Sequence, residues 1–485
     1  MLFDEFKSLL DEVRRLKCET QTLEIKKAKE GSPTRLYDTL SSFSNQDDGG
    51  IILFGIDEQT GFTETGVYDA HDLQKKICEQ CKEMEPPVRP LLNAFEIDGK
   101  VFVTAEIPGL DVTRRPCFYK GKGRQKGAYI RIGDNDEPMT EYEIYSYEAF
   151  RERHRDDIRI VDMAEDTAMD LDAIQNYFYS VKKERMNFSR INEQEVSELT
   201  NLTIKGKYTI SAVLMFGKYP QTFFPRLCIT AVRIPGTEMG DLGDEGERFL
   251  DNRRMDGCIQ EMFEGSMQFI QANMRTKTII NPQTGHREDR IEYPQAAVRE
   301  AILNALAHRD YSVHSEGMPI QILMFSDRME IRNPGGLYGR LQINQLGKAQ
   351  PDTRNPVLVS MMEAMNLTEN RYSGIPTIRR EMKAAGLPEP EFSDERGSFV
   401  VRFYNQFDSS SKNVVADTVL TDNEIKLIQF CQTAKSKKEI ADFLSISTVW
   451  YAVSNYIDPL IKKGYLQMTV PEKPGSPRQK YIAAK

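Results

Sequence analysis

At 485 residues the chain is too long for one ordinary hydrophobic core, and length alone points to roughly three domains. Composition is globular, with 40% hydrophobic and 28% charged residues, and no apolar run reaches the roughly eighteen residues that a membrane span needs. The net charge of −9 argues against a uniformly cationic nucleic-acid binder and turns attention to where the charges sit.

Residues 2–18 repeat apolar side chains at helical spacing (Leu2, Phe3, Phe6, Leu9, Leu10, Val13, Leu16). The acidic, amphipathic start resembles neither a signal nor a transit peptide. TLEIKKA alternates as a short strand, a helix is expected over 33–44, and GGIILFGID reads as an apolar buried strand. VFVTAEIPG and GAYIRIG add strands, and the first region is expected to end near Arg155. Seven scattered cysteines suit a reduced, cytoplasmic setting. Cys78 and Cys81 form one CxxC without a second pair, so they read as ordinary helix residues rather than zinc ligands.

From 156 to 235 the pattern gives a helix, then strand-like TISAVLMFG and RLCITAVRIPG; 244–275 reads as helical. REAILNALAHRDYS, residues 299–312, reads as a helix with Ala297, Val298, Ala301, Ile302, Ala305 and Leu306 on its apolar side. Glu300, Asn304 and His308 stand at i, i+4, i+8 on one face, where buried polar groups need partners. Two readings stay open: a network closed within the protein, with Arg309 and Asp310, or a row that meets a ligand. ILMFSDRMEIRNPGG follows as a hairpin ending in a Gly-rich turn. The polar, Ser-rich segment 406–418 marks a linker.

In the last region TDNE and SKKE match the capping box at helix starts. Three helices and a hairpin with a Pro/Gly tip look like a winged helix, whose third helix usually reads a major groove. That helix holds no Lys or Arg from Ser447 to Ile461, so Thr448, Tyr451 and Asn455 are the base-edge candidates, with Lys473, Arg478 and Lys480 as wing cations. Docking to protein is the competing reading. Local charge gives two basic islands. Residues 433–485 hold nine Lys/Arg against four Asp/Glu, net +5; residues 111–132 hold seven (Arg114, Arg115, Lys120, Lys122, Arg124, Lys126, Arg131) against Asp111 alone, net +6. Phe118, Tyr119 and Tyr129 lie among the latter, an apt composition for phosphates and stacked bases; a solvated loop is the alternative.

ETQTLEIK, FSNQDDGGIILFGID, RRPCFYK and GAYIRIGD together resemble the Schlafen AlbA-type DNA-binding domain over about 19–137. By that resemblance Glu19, Glu24 and Asp57 match the acids with which Schlafen nucleases hold Mg²⁺ or Mn²⁺, which implies phosphodiester cleavage as an alternative activity. Pairing of Glu24 with Lys26 or Arg131 is the bland reading.

LMFGKYPQTFFP, EYPQAAVREAILNALAHRDYS, MEIRNPGGL, TRNPVL and RYSGIPTIRREMKAAGLPEPEF resemble the ATP-binding region of RecG-like transcriptional regulators over about 200–405. That region is a divergent GHKL-type ATPase fold, the class of gyrase and histidine kinases. The resemblance makes Asn304 the residue that holds Mg²⁺ on the phosphates of ATP and Glu300 the residue that polarises water. It sets His308 beside them, Asn333, Gly335 and Gly336 in the first Gly box, and Ser373 and Gly374 in a shortened second one, with 337–372 as the lid. The usual adenine-binding Asp is Asn333 here, an acceptor without charge.

The reading is an α+β multidomain protein: a Schlafen AlbA-like domain (1–155), a GHKL-like α/β sandwich with an N-terminal extension (156–405), a linker (406–418) and a winged helix (419–485). The function expected is a cytoplasmic, homo-oligomeric, DNA-binding transcriptional regulator that senses nucleotide, with weak ATPase activity at most. RNA is a second ligand class. A metal-dependent nuclease acting in phage defence, and a nucleotide-free scaffold, are the alternatives. No GxxxxGK[ST] P-loop supports a helicase motor.

Overall fold

The computed structural model describes residues 1–280, 287–368, 373–395, 397–406, 427–428, 430–443, 457, 460–461, 465–469 and 480–483. The chain divides into two compact units, Met1–Asn405 and Gln406–Lys485.

The first unit begins with the amphipathic helix Phe3–Leu16, which buries Phe6, Leu10 and Val13. Asp4 and Glu5 lie in its first turn and Arg14 and Arg15 in its last, matching the helix dipole. A four-stranded sheet follows in the order Leu23–Lys26, Gly50–Phe54, Lys100–Ile107, Leu91–Ile97; only the first pair is parallel. The helices Tyr37–Ser44 and Ala70–Lys82 join the sheet in its core, through Leu40, Phe43, Leu73 and Ile77. Cys78 and Cys81 are free cysteines of the second of these helices, as expected. The hairpin Tyr129–Ile132/Asn135–Pro138 and the helix Glu141–Glu152 lead onward.

A six-stranded sheet dominates the rest of this unit, in the order Asp251–Met255, Ile229–Arg233, Ile320–Met324, Arg328–Pro334, Ser398–Tyr404, Glu391–Asp394. The second and third strands are parallel and the other pairs antiparallel. Alternation sorts its faces. Met329, Ile331 and Phe403 join the core with the helices Ile259–Asn273, Gln295–His308 and Gly374–Ala384. On the opposite side the buried Glu330 is held by Arg328 and Arg332, each at 2.7 Å, and by Arg402 at 3.4 Å.

Two expected elements differ. TISAVLMFG is not a strand but the buried helix Ile210–Phe216, because Thr209 caps it by accepting from the Ala212 N–H at 3.3 Å. A short apolar run has no periodicity to separate the two states. The stretch 244–275 is helical only over Ile259–Asn273; DNRRM at 251–255 is an edge strand, its polar side chains open to solvent while the backbone pairs with Ile229–Arg233. Sheet pairing outweighs propensity there.

In the second unit Lys435–Ser436, Lys480–Ala483 and Leu466–Met468 form a three-stranded antiparallel sheet beside the helix Lys437–Phe443. Leu427, Cys431, Ile440, Ile457, Leu460, Leu466 and Tyr481 make the core. The SKKE capping box forms: Glu439 accepts from Ser436 N–H at 2.8 Å, and Ser436 Oγ accepts from Glu439 N–H at 3.3 Å. TDNE, Thr448, Tyr451, Asn455, Lys473 and Arg478 lie outside the described residues. Lys480 opens its strand with its side chain exposed.

Candidate nucleotide site

The helix Gln295–His308 follows Pro294 and buries Ala297, Val298, Ala301, Ile302, Ala305 and Leu306, which turns the Glu300–Asn304–His308 row to its other side. It stops at His308 because the next backbone groups bond elsewhere. Asp310 N–H donates to Pro334 O at 2.9 Å, and Asn355 Nδ2 donates to Ala307 O at 2.9 Å and Arg309 O at 2.7 Å. The buried Asn355 thus caps the helix from the TRNPVL segment.

The polar row lines a cavity of ≈ 170 Å³ beside the sheet. Asn333, Gly335 and Gly336, from the end of the strand Arg328–Pro334 and its turn, line the same cavity, as do Ser373 and Gly374. All eight residues that the sequence pointed to are therefore brought together. Apolar cavities of about 150 Å³ take a benzene ring, so there is room here for one flat ring system in the enclosed part.

Close approach explains the glycines. A Cβ at Gly374 would lie 2.5 Å from Glu300 Oε1 and 2.7 Å from Asn304 Nδ2. The first turn of the helix Gly374–Ala384 therefore abuts the acid and the amide directly, its N-terminal dipole toward the carboxylate. Gly335 has φ +101°, and a Cβ there would come 2.7 Å from Asp310 Cβ. The donor set of Glu300 and Asn304 is all oxygen on the acceptor side, which suits Mg²⁺. Asn333 is buried, and among the described residues its Oδ1 meets no hydrogen-bond donor.

The closed network of His308, Arg309 and Asp310 does not form. Arg309 is buried and donates to the carbonyls of Asp310, Ser315 and Met318. Asp310 accepts from Tyr142 OH at 2.7 Å and Ser312 N–H at 2.8 Å, and pairs with Arg354 at 3.3 Å. Burial pushes the Asp310 carboxyl up, but Arg354, Ser312 N–H and Tyr142 together hold it below the usual range. The His308 ring opens onto the cavity while crowded by its walls; that desolvation and then Arg354 lower its pKa, so it is neutral near pH 7. Arg354 also donates to Gly336 O at 3.1 Å and lies 5.1 Å over the Tyr338 ring, which Phe150 meets edge-on at 5.3 Å. The helix Glu141–Glu152 thus meets the cavity wall through Phe150 on Tyr338, while Tyr142 holds Asp310 behind that wall. Sequence reasoning assigned no role to Tyr142, Phe150, Tyr338, Arg354 or Asn355; TRNPVL was the available signal for the last two.

The acidic trio stands differently. Arg131 is buried and pairs with Glu24 at 2.8 Å, Asp136 at 3.0 Å and Glu19 at 3.7 Å, and Lys26 also pairs with Glu24. Asp57 pairs with Lys27 at 3.3 Å and caps Gln59. Among the described residues no three Cys, His, Asp or Glu side chains gather as a metal cage. Burial, then Glu24, push the Glu19 carboxyl up to about 7.

The basic stretch needs correction too. Arg131 is held as above, and Arg115 is buried, donating to Asp47 at 2.6 Å and Leu110 O at 2.8 Å; neither side chain is open to a phosphate. Arg124 pairs with Glu148 over the Phe118 ring, Tyr119 stacks on Tyr37 at 3.8 Å, and Tyr129 is buried with Lys122 above it. These aromatics are packed rather than presented. Arg114, Lys120, Lys122 and Lys126 remain exposed.

Three stretches of the chain match known families. Residues 19–140 match the family described as "Schlafen, AlbA_2". Residues 317–403 match an HATPase-like family described as "Putative ATP-dependent DNA helicase recG C-terminal". Residues 423–482 match the "Filamentation induced by cAMP protein Fic-like, C-terminal domain" family. The chain thus carries a Schlafen AlbA_2 region and an HATPase-like region. Among solved structures, the DIP2311 protein from Corynebacterium diphtheriae is 16% identical, with 96% of this chain and 92% of that one covered and a TM-score of 0.39. The N-terminal domain of a protein from Nitrosomonas europaea described as "Putative ATP-dependent DNA Helicase RecG-related Protein" is 29% identical over 27% of this chain and 92% of that one, with a TM-score of 0.23. Among curated proteins, none matches.

Proposed function

We propose that the protein is a DNA-binding regulator whose HATPase-like region binds a purine nucleotide with Mg²⁺. The observation that carries this is the meeting of Glu300 and Asn304 with the backbone of Gly374 in one cavity, where a Cβ would have to displace the ends of both side chains. Asn304 and Glu300 would hold the metal and phosphate side, and the helix N-terminus at Gly374 would meet the phosphates through its N–H groups. Bound Mg²⁺ supplies neutralisation of phosphate charge. The families matched by 19–140 and 317–403 bear names of DNA-associated proteins, and Arg114, Lys120, Lys122 and Lys126 give a cationic surface for phosphates.

Contact of the helix Glu141–Glu152 with the wall residue Tyr338 through Phe150, and with Asp310 behind the wall through Tyr142, supports a link between the two activities. A nucleotide alters DNA grip only by binding two arrangements of this wall differently. The test is fluorescence anisotropy with labelled duplex DNA, with and without Mg²⁺ and a non-hydrolysable ATP analogue. Salt-sensitive binding that shifts severalfold with nucleotide supports the reading. Absence of salt-sensitive binding in both conditions overturns it.

A further inference from the structure

The cavity walls include apolar side chains, among them Ile331, Leu346, Ile378 and Val401. Asn333 stands among them as a buried amide, neighbour in the strand to Ile331 on the same face. Among the described residues no donor reaches its Oδ1, and a buried acceptor left unmet is costly. A ligand edge that supplies an N–H would relieve it.

An amide carries an acceptor and a donor on one planar group. Rotation about the last side-chain torsion exchanges their positions at small cost, because that torsion is broad and roughly two-fold. A 6-aminopurine offers an N–H donor at position 6 beside an acceptor ring nitrogen. A 6-oxopurine offers the reverse, a carbonyl beside a ring N–H. Facing position 6, a carboxylate, which is acceptor-only, accepts from the amino N–H of the first and repels the carbonyl of the second. An amide meets both.

Resting on the nucleotide reading above, we infer that this cavity takes guanine as well as adenine nucleotides, and that Asn333 sets this breadth. The neutral amide also leaves no buried charge uncompensated when the cavity is empty, which a carboxylate flanked by Ile331 and Val401 would.

The test is equilibrium binding of non-hydrolysable ATP and GTP analogues with Mg²⁺ to the full chain, by calorimetry. Variants Asn333→Asp and Asn333→Ser are measured beside the parent, each checked by circular dichroism. The parent is expected to bind the two analogues within about tenfold of each other. Asn333→Asp is expected to keep the ATP analogue and to lose about tenfold or more toward the GTP analogue. Asn333→Ser, which retains both a donor and an acceptor, is expected to stay unselective. A parent that binds the ATP analogue over a hundredfold better overturns this inference and leaves the nucleotide reading standing, as does Asn333→Asp binding both analogues like the parent. Binding of neither analogue by folded parent overturns both.

Discussion

The hydroxyl of Tyr142 donates to the carboxylate of Asp310 at 2.7 Å across 168 residues of sequence. Tyr142 belongs to the helix that follows the AlbA_2-like hairpin, and Asp310 to the turn after the Glu300–Asn304 helix. The bond therefore ties the regions 1–155 and 156–405 together within one compact unit. Removing the hydroxyl in Tyr142→Phe leaves Asp310 with Arg354 and Ser312 N–H. The expected cost is about 1–2 kcal/mol for one buried partner lost, seen as a melting temperature lower by a few degrees. An unchanged melting curve contradicts the structural weight given to this bond.

Gly374→Ala tests the close approach at the cavity. Its Cβ would have to displace Glu300 Oε1, 2.5 Å away, and Asn304 Nδ2, 2.7 Å away. Both atoms end flexible side chains and can swing aside at little cost to stability, but only by leaving their places at the cavity. Nucleotide binding is expected to fall by at least tenfold while the fold persists, measured by calorimetry and circular dichroism. Wild-type affinity in this variant would show that the glycine serves helix packing alone.

Burial separates the cations. Arg131→Ala would strand Glu24 and Asp136 without their guanidinium and is expected to cost about 3–5 kcal/mol, measured by denaturant unfolding. Lys126→Glu and Arg114→Glu are exposed and should leave stability within about 0.5 kcal/mol. Each is expected to weaken DNA binding and to lower the slope of log affinity against log salt by about 1. An unaltered salt slope in both moves the DNA contact elsewhere.

Glu19 gives a pH signature. Its folded pKa, pushed up to about 7, lies above the ordinary carboxyl value, so the folded state binds the extra proton between roughly pH 4.5 and 7. The associated stability is full below that window and is lost as pH rises through about 7. Glu19→Gln keeps the neutral form at every pH. It should therefore flatten the fall in melting temperature between pH 5 and pH 8, with the largest gain over the parent at pH 8. Parallel pH profiles for the two proteins contradict this.

Much of this was legible in the sequence because it is local. The i, i+4, i+8 spacing of Glu300, Asn304 and His308 placed them on one face, and the hairpin over 320–334 followed from its strand and turn residues. What failed was long-range. Counting Arg115 and Arg131 as surface cations ignored that buried carboxylates and carbonyls claim them. Reading Tyr119 and Tyr129 as stacking platforms ignored Tyr37 and Lys122, which pack on them. TISAVLMFG carries no periodicity, so only its Thr209 cap distinguishes helix from strand. The contact of Gly374 with Glu300 and Asn304 joins positions about seventy residues apart, and no spacing rule reaches that far.

The central claim is that the cavity between Asn333, Asn304 and Gly374 holds a nucleotide with Mg²⁺. A ligand that binds only the folded state raises its melting temperature by mass action, by about 2.7 kcal/mol of stability at a hundred times its dissociation constant. The most direct measurement is the thermal shift of the full chain with Mg²⁺ and ATP, in the parent and in Asn304→Ala. The account predicts a concentration-dependent rise in the parent that is abolished in the variant. No rise in the parent at millimolar nucleotide, or an equal rise in both proteins, contradicts it.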